Sequence, residues 1–226
     1  MKYIQENLEK IRERIVAATK KAGRDPQSVK LIAVSKTFPA EAVQSAYDAE
    51  QRLFGENKVQ DLAFKNVSLP KDIEWHMIGH LQSNKVKLAV ENAHYIHAVD
   101  SVKLLTRIDR LAGELGHSPK VFLEINISGE ESKFGADEEL VKELVQAATT
   151  CENITVAGLM TMAPFGVSED ELRIVFSSLR KLRDNLQTEF NVDLPELSMG
   201  MSGDFEIAIE EGATMVRVGT SIFGER

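Results

Sequence analysis

Cysteine and long apolar segments are what this sequence has least of. Cys151 is the only cysteine among 226 residues, which excludes an internal disulfide and a zinc cluster built on cysteines. The longest nearly apolar run, residues 156–165, has about half of the ~20 residues that a membrane-spanning helix needs. The first twenty residues alternate charged with apolar positions and do not resemble a signal peptide. We therefore expect a reduced protein in the cytoplasm, without membrane contact.

Positive charge is also in deficit. The chain has 27 Lys and Arg against 35 Asp and Glu, a formal net charge of −8. Such a balance argues against a nucleic acid or an anionic membrane as the main ligand, but it leaves room for a pocket that takes one small anion. With 27% charged and 43% hydrophobic residues, the composition is that of a folded globular chain, long enough for one large domain or two small ones.

Short β-rich runs alternate with helical patterns along the chain. Apolar residues at helical spacing predict an N-terminal helix over about residues 1–22. Strands that alternate with helices pair in parallel, because the helix supplies the long crossover that a parallel connection needs. Eight strands are predicted, seven of them followed by a helix: residues 30–35, 52–54, 74–78, 95–99, 120–127, 154–160, 196–198 and 215–218.

Eight such units predict a closed (β/α)8 TIM barrel, an α/β fold, with residues 1–226 as a single domain that carries an extra N-terminal helix. An open doubly wound sheet also alternates strands and helices and is the alternative. The count of eight and the polar residues at the strand ends favour the barrel. We expect the excess carboxylates on the outer helices.

Functional residues of a parallel barrel gather at the carboxyl ends of its strands. Lys36 follows the apolar run 31–34 by one small residue, so burial disfavours its charged form. A neutral amine is the nucleophile that Schiff-base chemistry requires. The alternative is a lysine that extends its ammonium group from a strand end into solvent. The other polar residues at strand ends are Asn57, His80, Asp100, Ser128, Thr161, Ser198 and Arg217.

Two turns rich in glycine and hydroxyl groups follow the last two predicted strands, at residues 198–204 (SMGMSGD) and 217–221 (RVGTS). Loops in these positions often form the phosphate site of a barrel, where backbone N–H groups and small side chains surround the anion. Alternation along the last strand turns Arg217 toward the mouth. Either turn alone is typical of an ordinary tight loop. Both turns together with Lys36 indicate a site for pyridoxal 5′-phosphate (PLP).

The same residues lie in motifs that are specific in combination and order. These motifs are AVSKT (33–37), FGENKVQ (54–60), WHMIGHLQSNK (75–85), INISGEESKFG (125–135), GLMTM (158–162), LSMGMSGDFEIAI (197–209) and MVRVGTSIFG (215–224). They closely resemble the pyridoxal phosphate homeostasis protein family, also called the YggS/PROSC family. The resemblance implies the barrel of the alanine racemase N-terminal domain, with PLP bound covalently through Lys36 as an internal aldimine. It further implies phosphate contacts and ring or support contacts for the cofactor from Asn57, Ser198, Met199, Ser202, Gly203, Arg217, Gly219 and Thr220, with Met201 packed nearby.

An arginine beside the pyridine nitrogen has a chemical consequence. Because a guanidinium cannot accept a proton, it leaves the nitrogen neutral and the ring a weak electron sink. Such a ring suits a protein that holds the cofactor more than one that drives transamination. The sequence leaves open whether Arg217 contacts the nitrogen or the phosphate, and it assigns His80 no fixed role.

We therefore expect a protein that buffers and delivers PLP with little or no turnover, as a monomer or weak dimer in transient contact with PLP-dependent enzymes. The alternative is an amino-acid racemase or a related PLP enzyme of the same fold. Racemases need a second acid or base opposite the lysine, in this fold a tyrosine, and usually a second domain. Tyr3, Tyr47 and Tyr95 lie away from the predicted strand ends, and the sequence ends eight residues after Val218.

A metal-dependent hydrolase is a third hypothesis, because four histidines lie around the third and fourth predicted strands. His76 and His80 fall on one face of a strand, whereas His94 and His97 are expected at or near the wrong end of strand four. Because a metal site needs several converging ligands, the sequence predicts no metal centre.

Overall fold

A computed structural model describes residues 2–127, 129 and 134–225. Within these residues, eight parallel strands form a closed barrel in chain order. The strands are β1 (Lys30–Val34), β2 (Leu53–Glu56), β3 (Glu74–Met77), β4 (Tyr95–Val99), β5 (Lys120–Glu124), β6 (Thr155–Met160), β7 (Glu196–Ser198) and β8 (Met215–Val218). The helices are α1 (Lys2–Lys21), α2 (Ala40–Asp48), α3 (Val59–Ser68), α4 (Val86–Asn92, after a 3-10 turn at Ser83–Lys85), α5 (Val102–Leu115), α6 (Glu138–Ala148), α7 (Glu169–Phe190), α8 (Phe205–Glu210) and α9 (Thr220–Phe223).

The pairing of the first strand with the last closes the sheet. Ala33 of β1 lies opposite Phe54 of β2 on one side and opposite Val218 of β8 on the other. An open doubly wound sheet would leave two edge strands, so that alternative is wrong. The TIM barrel is confirmed, and the carboxyl ends of all eight strands meet at one mouth.

The N-terminal helix α1 covers the side of the barrel near its closing strands. Its apolar residues at helical spacing are buried, and it packs against α2, α8 and α9. Arg14 supports this contact by a bidentate hydrogen bond to Glu206, with its guanidinium over the ring of Phe205. The predicted extra helix is therefore confirmed. No helix of the described residues is long and apolar enough to cross a membrane.

Serine caps fix the starts of two helices. The hydroxyl oxygen of Ser101 accepts a hydrogen bond from the N–H of Leu104 at the start of α5. Ser168 and Glu171 form a capping box at the start of α7: Ser168 Oγ accepts the backbone N–H of Glu171, and the Glu171 carboxylate accepts the backbone N–H of Ser168. Each serine stands at the first residue of a helix predicted from the sequence, so these starts agree to within one residue.

Two sequence expectations about the elements are wrong. The strand predicted over residues 120–127 ends at Glu124, because beyond it the chain pairs with Ala136: the N–H of Asn126 donates to the carbonyl of Ala136, and the N–H of Ala136 donates to that of Glu124. The eighth strand is followed by a helix after all, the four-residue α9. A helix of one turn is too short to show a helical hydrophobic period.

The barrel interior is partly polar. An apolar cluster inside it consists of Ile32, Tyr95, Phe122, Ala157, Met160 and Met215. Four polar side chains are buried with it, with at most 4% of their surface exposed: His76, His97, Ser198 and Arg217. Because branched apolar residues usually fill such barrels, this polar group indicates that the interior serves a site at the mouth.

Candidate functional site

Lys36 lies at the mouth, two residues after the end of β1, and it is half-buried. Because β1 pairs with β8, the loop that begins at Gly219 lies at the adjacent strand end. A Cβ atom at Gly219 would lie 3.1 Å from the carbonyl oxygen of Val34 and 3.3 Å from its Cβ. The absent side chain therefore lets the β8 loop approach the end of β1. The predicted amine and one predicted glycine turn are neighbours.

The two predicted phosphate loops converge on the hydroxyl of Ser202. Its oxygen accepts hydrogen bonds from the backbone N–H groups of Gly219, at 3.3 Å, and Ser221, at 3.5 Å. Thr220 lies between these donors and is exposed. Converging backbone N–H groups beside a hydroxyl are the donor set that a phosphate dianion takes. The residues present therefore fit the phosphate of PLP.

The turn after β7 is held in shape by its glycine and its aspartate. Gly200 has φ +95°, and a Cβ there would lie 2.6 Å from the Cβ of Ala208, so a larger residue would clash with α8. Its carbonyl accepts the N–H of Arg217 at 2.9 Å, which ties the β7 loop to β8. A carboxylate oxygen of Asp204 accepts the N–H of Met201 at 2.5 Å. Gly203 is exposed with nothing within 4 Å of a built Cβ, so packing does not require a glycine there.

Arg217 is buried inside the barrel with 4% of its surface exposed. Its Nη1 donates to Ser198 Oγ at 2.6 Å, and its Nη2 donates to the carbonyl oxygen of Thr161 at 2.9 Å. Burial lowers the pKa of Arg217 to about 10, against the opposing charges of Glu124 and Asp204. The guanidinium therefore stays charged at neutral pH, so the barrel interior contains a buried cation.

The remaining predicted contacts are less tightly grouped. Asn57 follows β2 and borders a cavity of about 230 Å³ together with His80, where the loops after β2 and β3 meet. These loops touch so closely that a Cβ at Gly79 would lie 2.4 Å from the carbonyl oxygen of Asn57. Met199 is fully buried in the main hydrophobic core, whereas Met201 is 38% exposed. Ser128, predicted at a strand end, lies outside the described residues.

The expectation that the excess carboxylates lie on the outer helices is wrong for two of them. Glu56 and Glu124 end β2 and β5 with at most 3% of their surface exposed. Burial raises the pKa of Glu124 to about 7, the nearby charge of Asp100 adds to the rise, and Arg217 opposes it. The available sequence signal was an acidic residue within an apolar strand pattern. Glu124 therefore brings a group that titrates near neutral pH to the mouth.

A glutamine at position 124 is expected to remove a pH-dependent loss of stability. The raised pKa means that the folded state binds the proton between pH 4.5 and about 7, whereas the unfolded state has released it. The stability that the protonated carboxyl contributes is therefore present below pH 4.5 and is lost as the pH rises through 7. Relative to the wild type, Glu124→Gln should gain about 3 kcal/mol between pH 4.5 and pH 8.

Urea unfolding of both proteins at several pH values measures this difference. Glu139→Gln, on the exposed surface of α6, removes a carboxylate from the same part of the chain and serves as the control. Parallel pH profiles for the wild type and Glu124→Gln would show that Glu124 ionises normally.

Two histidines that the sequence offers only as candidate metal ligands lie inside the barrel. His97 is wholly buried in the middle of β4, so its expected place near the wrong end of that strand is a misassignment. Its Nε2 lies 2.9 Å from Nδ1 of His76, and its Nδ1 lies 3.0 Å from Ser198 Oγ. Within the described ranges, three or more His, Cys, Asp or Glu side chains nowhere group as metal ligands do. The histidines extend the polar group around Arg217 instead.

Known proteins with the same sequence pattern also share this architecture. The family model "Alanine racemase, N-terminal domain" matches residues 6–226. The pyridoxal phosphate homeostasis protein of Aquifex aeolicus is 45% identical over 222 residues, 98% of this chain and 97% of the relative. That of Vibrio alginolyticus is 43% identical over 233 residues, 100% of this chain and 99% of the relative.

A solved structure agrees with these relatives. PipY of Synechococcus elongatus PCC7942, solved with PLP bound, has a TM-score of 0.87 and 41% sequence identity, and the match covers 98% of this chain and 100% of that chain. The match extends over the barrel and both glycine turns. The chain therefore belongs to the pyridoxal phosphate homeostasis protein family, whose barrel is that of the alanine racemase N-terminal domain.

Proposed function

We propose that this protein binds PLP at the barrel mouth, holds it covalently through Lys36, and buffers or delivers it with little or no turnover. One observation carries the proposal: Lys36 lies beside the loop whose N–H groups at Gly219 and Ser221 converge on Ser202. The names of the relatives and the PLP in the PipY structure support the choice of ligand. The proposal treats residues 1–226 as one PLP-binding domain.

The chemistry divides between an amine and an anion site. Bound PLP supplies an electrophilic aldehyde, which forms a C=N bond with an amine and releases water. Lys36 provides that amine from a half-buried position at the mouth. Ser202, Gly203, Gly219 and Thr220 hold the phosphate. Anchoring at both ends lets the protein retain a reactive cofactor.

Arg217 limits what the bound cofactor can do. A guanidinium donates hydrogen bonds and accepts none, so Arg217 cannot share a proton with a ring nitrogen as a carboxylate would. We assign the ring contacts to Arg217, Ser198 and Asn57, with Met199 behind them. A ring that is not protonated stabilises a carbanion weakly, and this favours storage of PLP over turnover.

One observation favours a second candidate, an amino-acid racemase or a related PLP enzyme. Glu124 ends β5, which lies across the closed barrel from β1, and its pKa of about 7 suits proton exchange. Lys36 and Glu124 would then act from opposite walls. Exchange of the α-proton of amino acids in heavy water separates the candidates: steady exchange that is lost in Glu124→Gln would favour the enzyme, and none at ordinary enzyme rates would favour the carrier.

Removal of the Ser202 hydroxyl is expected to weaken PLP more than pyridoxal. Ser202→Ala deletes a polar group at the point where two loops meet, which should cost about 1 kcal/mol of PLP binding, or fivefold in Kd. Pyridoxal has the same aldehyde but no phosphate, so its Kd should barely change. Equilibrium dialysis with both ligands measures the effect.

Ser177→Ala, in the outer helix α7, is the matched control and should leave both Kd values unchanged. An equal loss of affinity for both ligands would place the phosphate elsewhere.

We further propose that delivery involves transient contact with PLP-dependent enzymes in the cytoplasm and that the protein is a monomer or weak dimer.

A further inference from the structure

A continuous series of polar side chains crosses the barrel interior. Four atom pairs link them in order: Arg217 Nη1 to Ser198 Oγ at 2.6 Å, Ser198 Oγ to His97 Nδ1 at 3.0 Å, His97 Nε2 to His76 Nδ1 at 2.9 Å, and His76 Nε2 to Glu74 Oε1 at 3.3 Å. Glu74 is the first residue of β3, with a side chain 38% exposed at the N-terminal face. The series therefore reaches from that face to the arginine at the mouth.

The two ends of the series fix the direction of every hydrogen bond within it. A guanidinium only donates, and an ionised carboxylate only accepts. The ring of His76, 3.3 Å away, lowers the pKa of Glu74, so this carboxyl is ionised at neutral pH. Ser198 therefore accepts from Arg217 and donates to His97. The reverse arrangement would set the lone pair of His76 Nε2 against a carboxylate.

Both histidines must then carry their proton on Nε2, with Nδ1 accepting. Burial lowers the pKa of each, that of His97 well below its ordinary value, so both are neutral. Stacking holds the rings in place: His76 lies on Tyr95 at 4.5 Å and His97 on Phe122 at 4.3 Å between centroids. The contact at Glu74 is the loosest: Nε2 of the neutral His76 lies 3.3 Å from the carboxylate without hydrogen-bond alignment, so this end of the series is an electrostatic contact between an N–H group and a carboxylate.

We propose that Glu74, His76 and His97 are positioning residues, which act through a directed hydrogen-bond chain to orient Ser198 Oγ and the guanidinium of Arg217 for the cofactor. Hydrogen bonds in a chain polarise one another, so the acceptor at the N-terminal face strengthens the bond at the mouth. Only the last step, contact between Arg217 and PLP, rests on the proposed function. The chain itself concerns atoms of this protein alone.

The competing explanation is that the two histidines only fill space in the core. Under that explanation their tautomers do not depend on Glu74. The same face offers a matched control, since Glu196 also begins a strand, two residues before Ser198, but its carboxylate binds Lys30 Nζ at 2.7 Å. Glu196→Ala removes an equal charge there without removing the acceptor of His76.

Long-range ¹H–¹⁵N spectra of cofactor-free protein labelled at histidine test the chain. We expect both histidines as neutral Nε2–H tautomers from pH 6 to pH 8. Glu74→Ala should give His76 a mixture of tautomers and speed hydrogen exchange at His97, whereas Glu74→Gln, which keeps an acceptor oxygen, should restore the wild-type pattern. Glu196→Ala should change neither histidine. Nδ1–H tautomers in the wild type, or spectra of Glu74→Ala identical to those of the wild type, would overturn the chain.

PLP titration of the same proteins separates this inference from the proposed function. Glu74→Ala should weaken PLP binding by about three- to tenfold, with Glu74→Gln and Glu196→Ala close to wild type. If neither the wild type nor any variant binds PLP, the proposed function fails, and the tautomer pattern still shows whether the hydrogen-bond chain exists. If the wild type binds PLP and Glu74→Ala binds it equally well, the positioning role is wrong.

Discussion

Replacement of Lys36 by alanine is expected to abolish covalent attachment of PLP while the barrel stays folded. The amine of Lys36 is the group assigned to the C=N bond, and an alanine side chain has no nucleophile to replace it. The fold should survive, because Lys36 is half-buried in the turn after β1 and is not part of the main hydrophobic core. Surface or half-exposed substitutions of this kind usually change stability little. The expected effect on attachment is therefore complete.

Borohydride reduction followed by peptide mapping measures attachment directly, because reduction makes the C–N bond permanent. In the wild type the adduct should lie on Lys36, and in Lys36→Ala no lysine should carry it. Lys103→Ala is the control, since Lys103 is exposed on the outer helix α5 and should not affect the adduct. Circular dichroism confirms folding of each variant. An adduct on another lysine of the wild type would contradict the assignment.

Lys36→Ala should still bind PLP without a covalent bond. The donors that converge on Ser202 belong to other loops and do not require the amine. Dialysis should therefore show residual PLP binding, weaker than in the wild type but stronger than the binding of pyridoxal. Residual binding that is equal for both ligands would show that the phosphate contributes nothing, contrary to the role given to the two glycine turns.

The barrel and the polar residues that follow its strands could be predicted from the sequence because their signals are local. Alternation of strands and helices is a pattern within tens of residues, and parallel pairing follows from it. The positions of Lys36 and of the turns around Ser202 and Gly219 at strand ends could be predicted because each follows its own strand directly, and their role in binding PLP stays a prediction. Strand β5 was predicted too long, because Ile125 and Ile127 continue an alternation that the chain breaks only through pairing with Ala136.

What the sequence could not show are contacts between residues far apart in the chain. Ser198 lies 101 residues from His97 in the chain, and the sequence of neither strand indicates that the two side chains are in contact. Glu124 was hidden for a similar reason, because its pKa depends on burial and on the charges of Asp100 and Arg217. Burial of a polar group without hydrogen-bond partners costs free energy, so its partners determine what it can do. Only the closed barrel brings these partners together.

The second large effect is expected at a buried ion pair behind the mouth. Lys65 of α3 reaches back to Glu56, the last residue of β2, and both side chains are at most 6% exposed. Its Nζ binds Glu56 Oε1 and also donates to the carbonyl of Ser35 at 3.0 Å, while Ser35 Oγ donates to Glu56 at 2.7 Å. Ser35 precedes Lys36, and Glu56 precedes Asn57. The pair therefore holds the starts of two loops that carry proposed cofactor contacts.

Lys65→Met should destabilise the protein by about 3–5 kcal/mol at pH 8, because it leaves the carboxylate of Glu56 buried without its cation. Burial already raises the pKa of Glu56, and Oε2 has no hydrogen-bond partner among the described residues, so nearby groups offer little compensation. The pKa should rise further in the variant. The loss should therefore shrink as the pH falls and the carboxyl binds a proton, in contrast to a loss caused by poor packing alone.

Urea unfolding, followed by the fluorescence of the single tryptophan Trp75, measures these values. Lys58→Ala, on the exposed residue just before α3, should change the free energy of unfolding by less than about 0.5 kcal/mol. The double variant Glu56→Gln/Lys65→Met should recover part of the loss, because no charge remains buried. A loss below about 1 kcal/mol in Lys65→Met, or one that does not vary with pH, would mean that the pair is not what holds these loops.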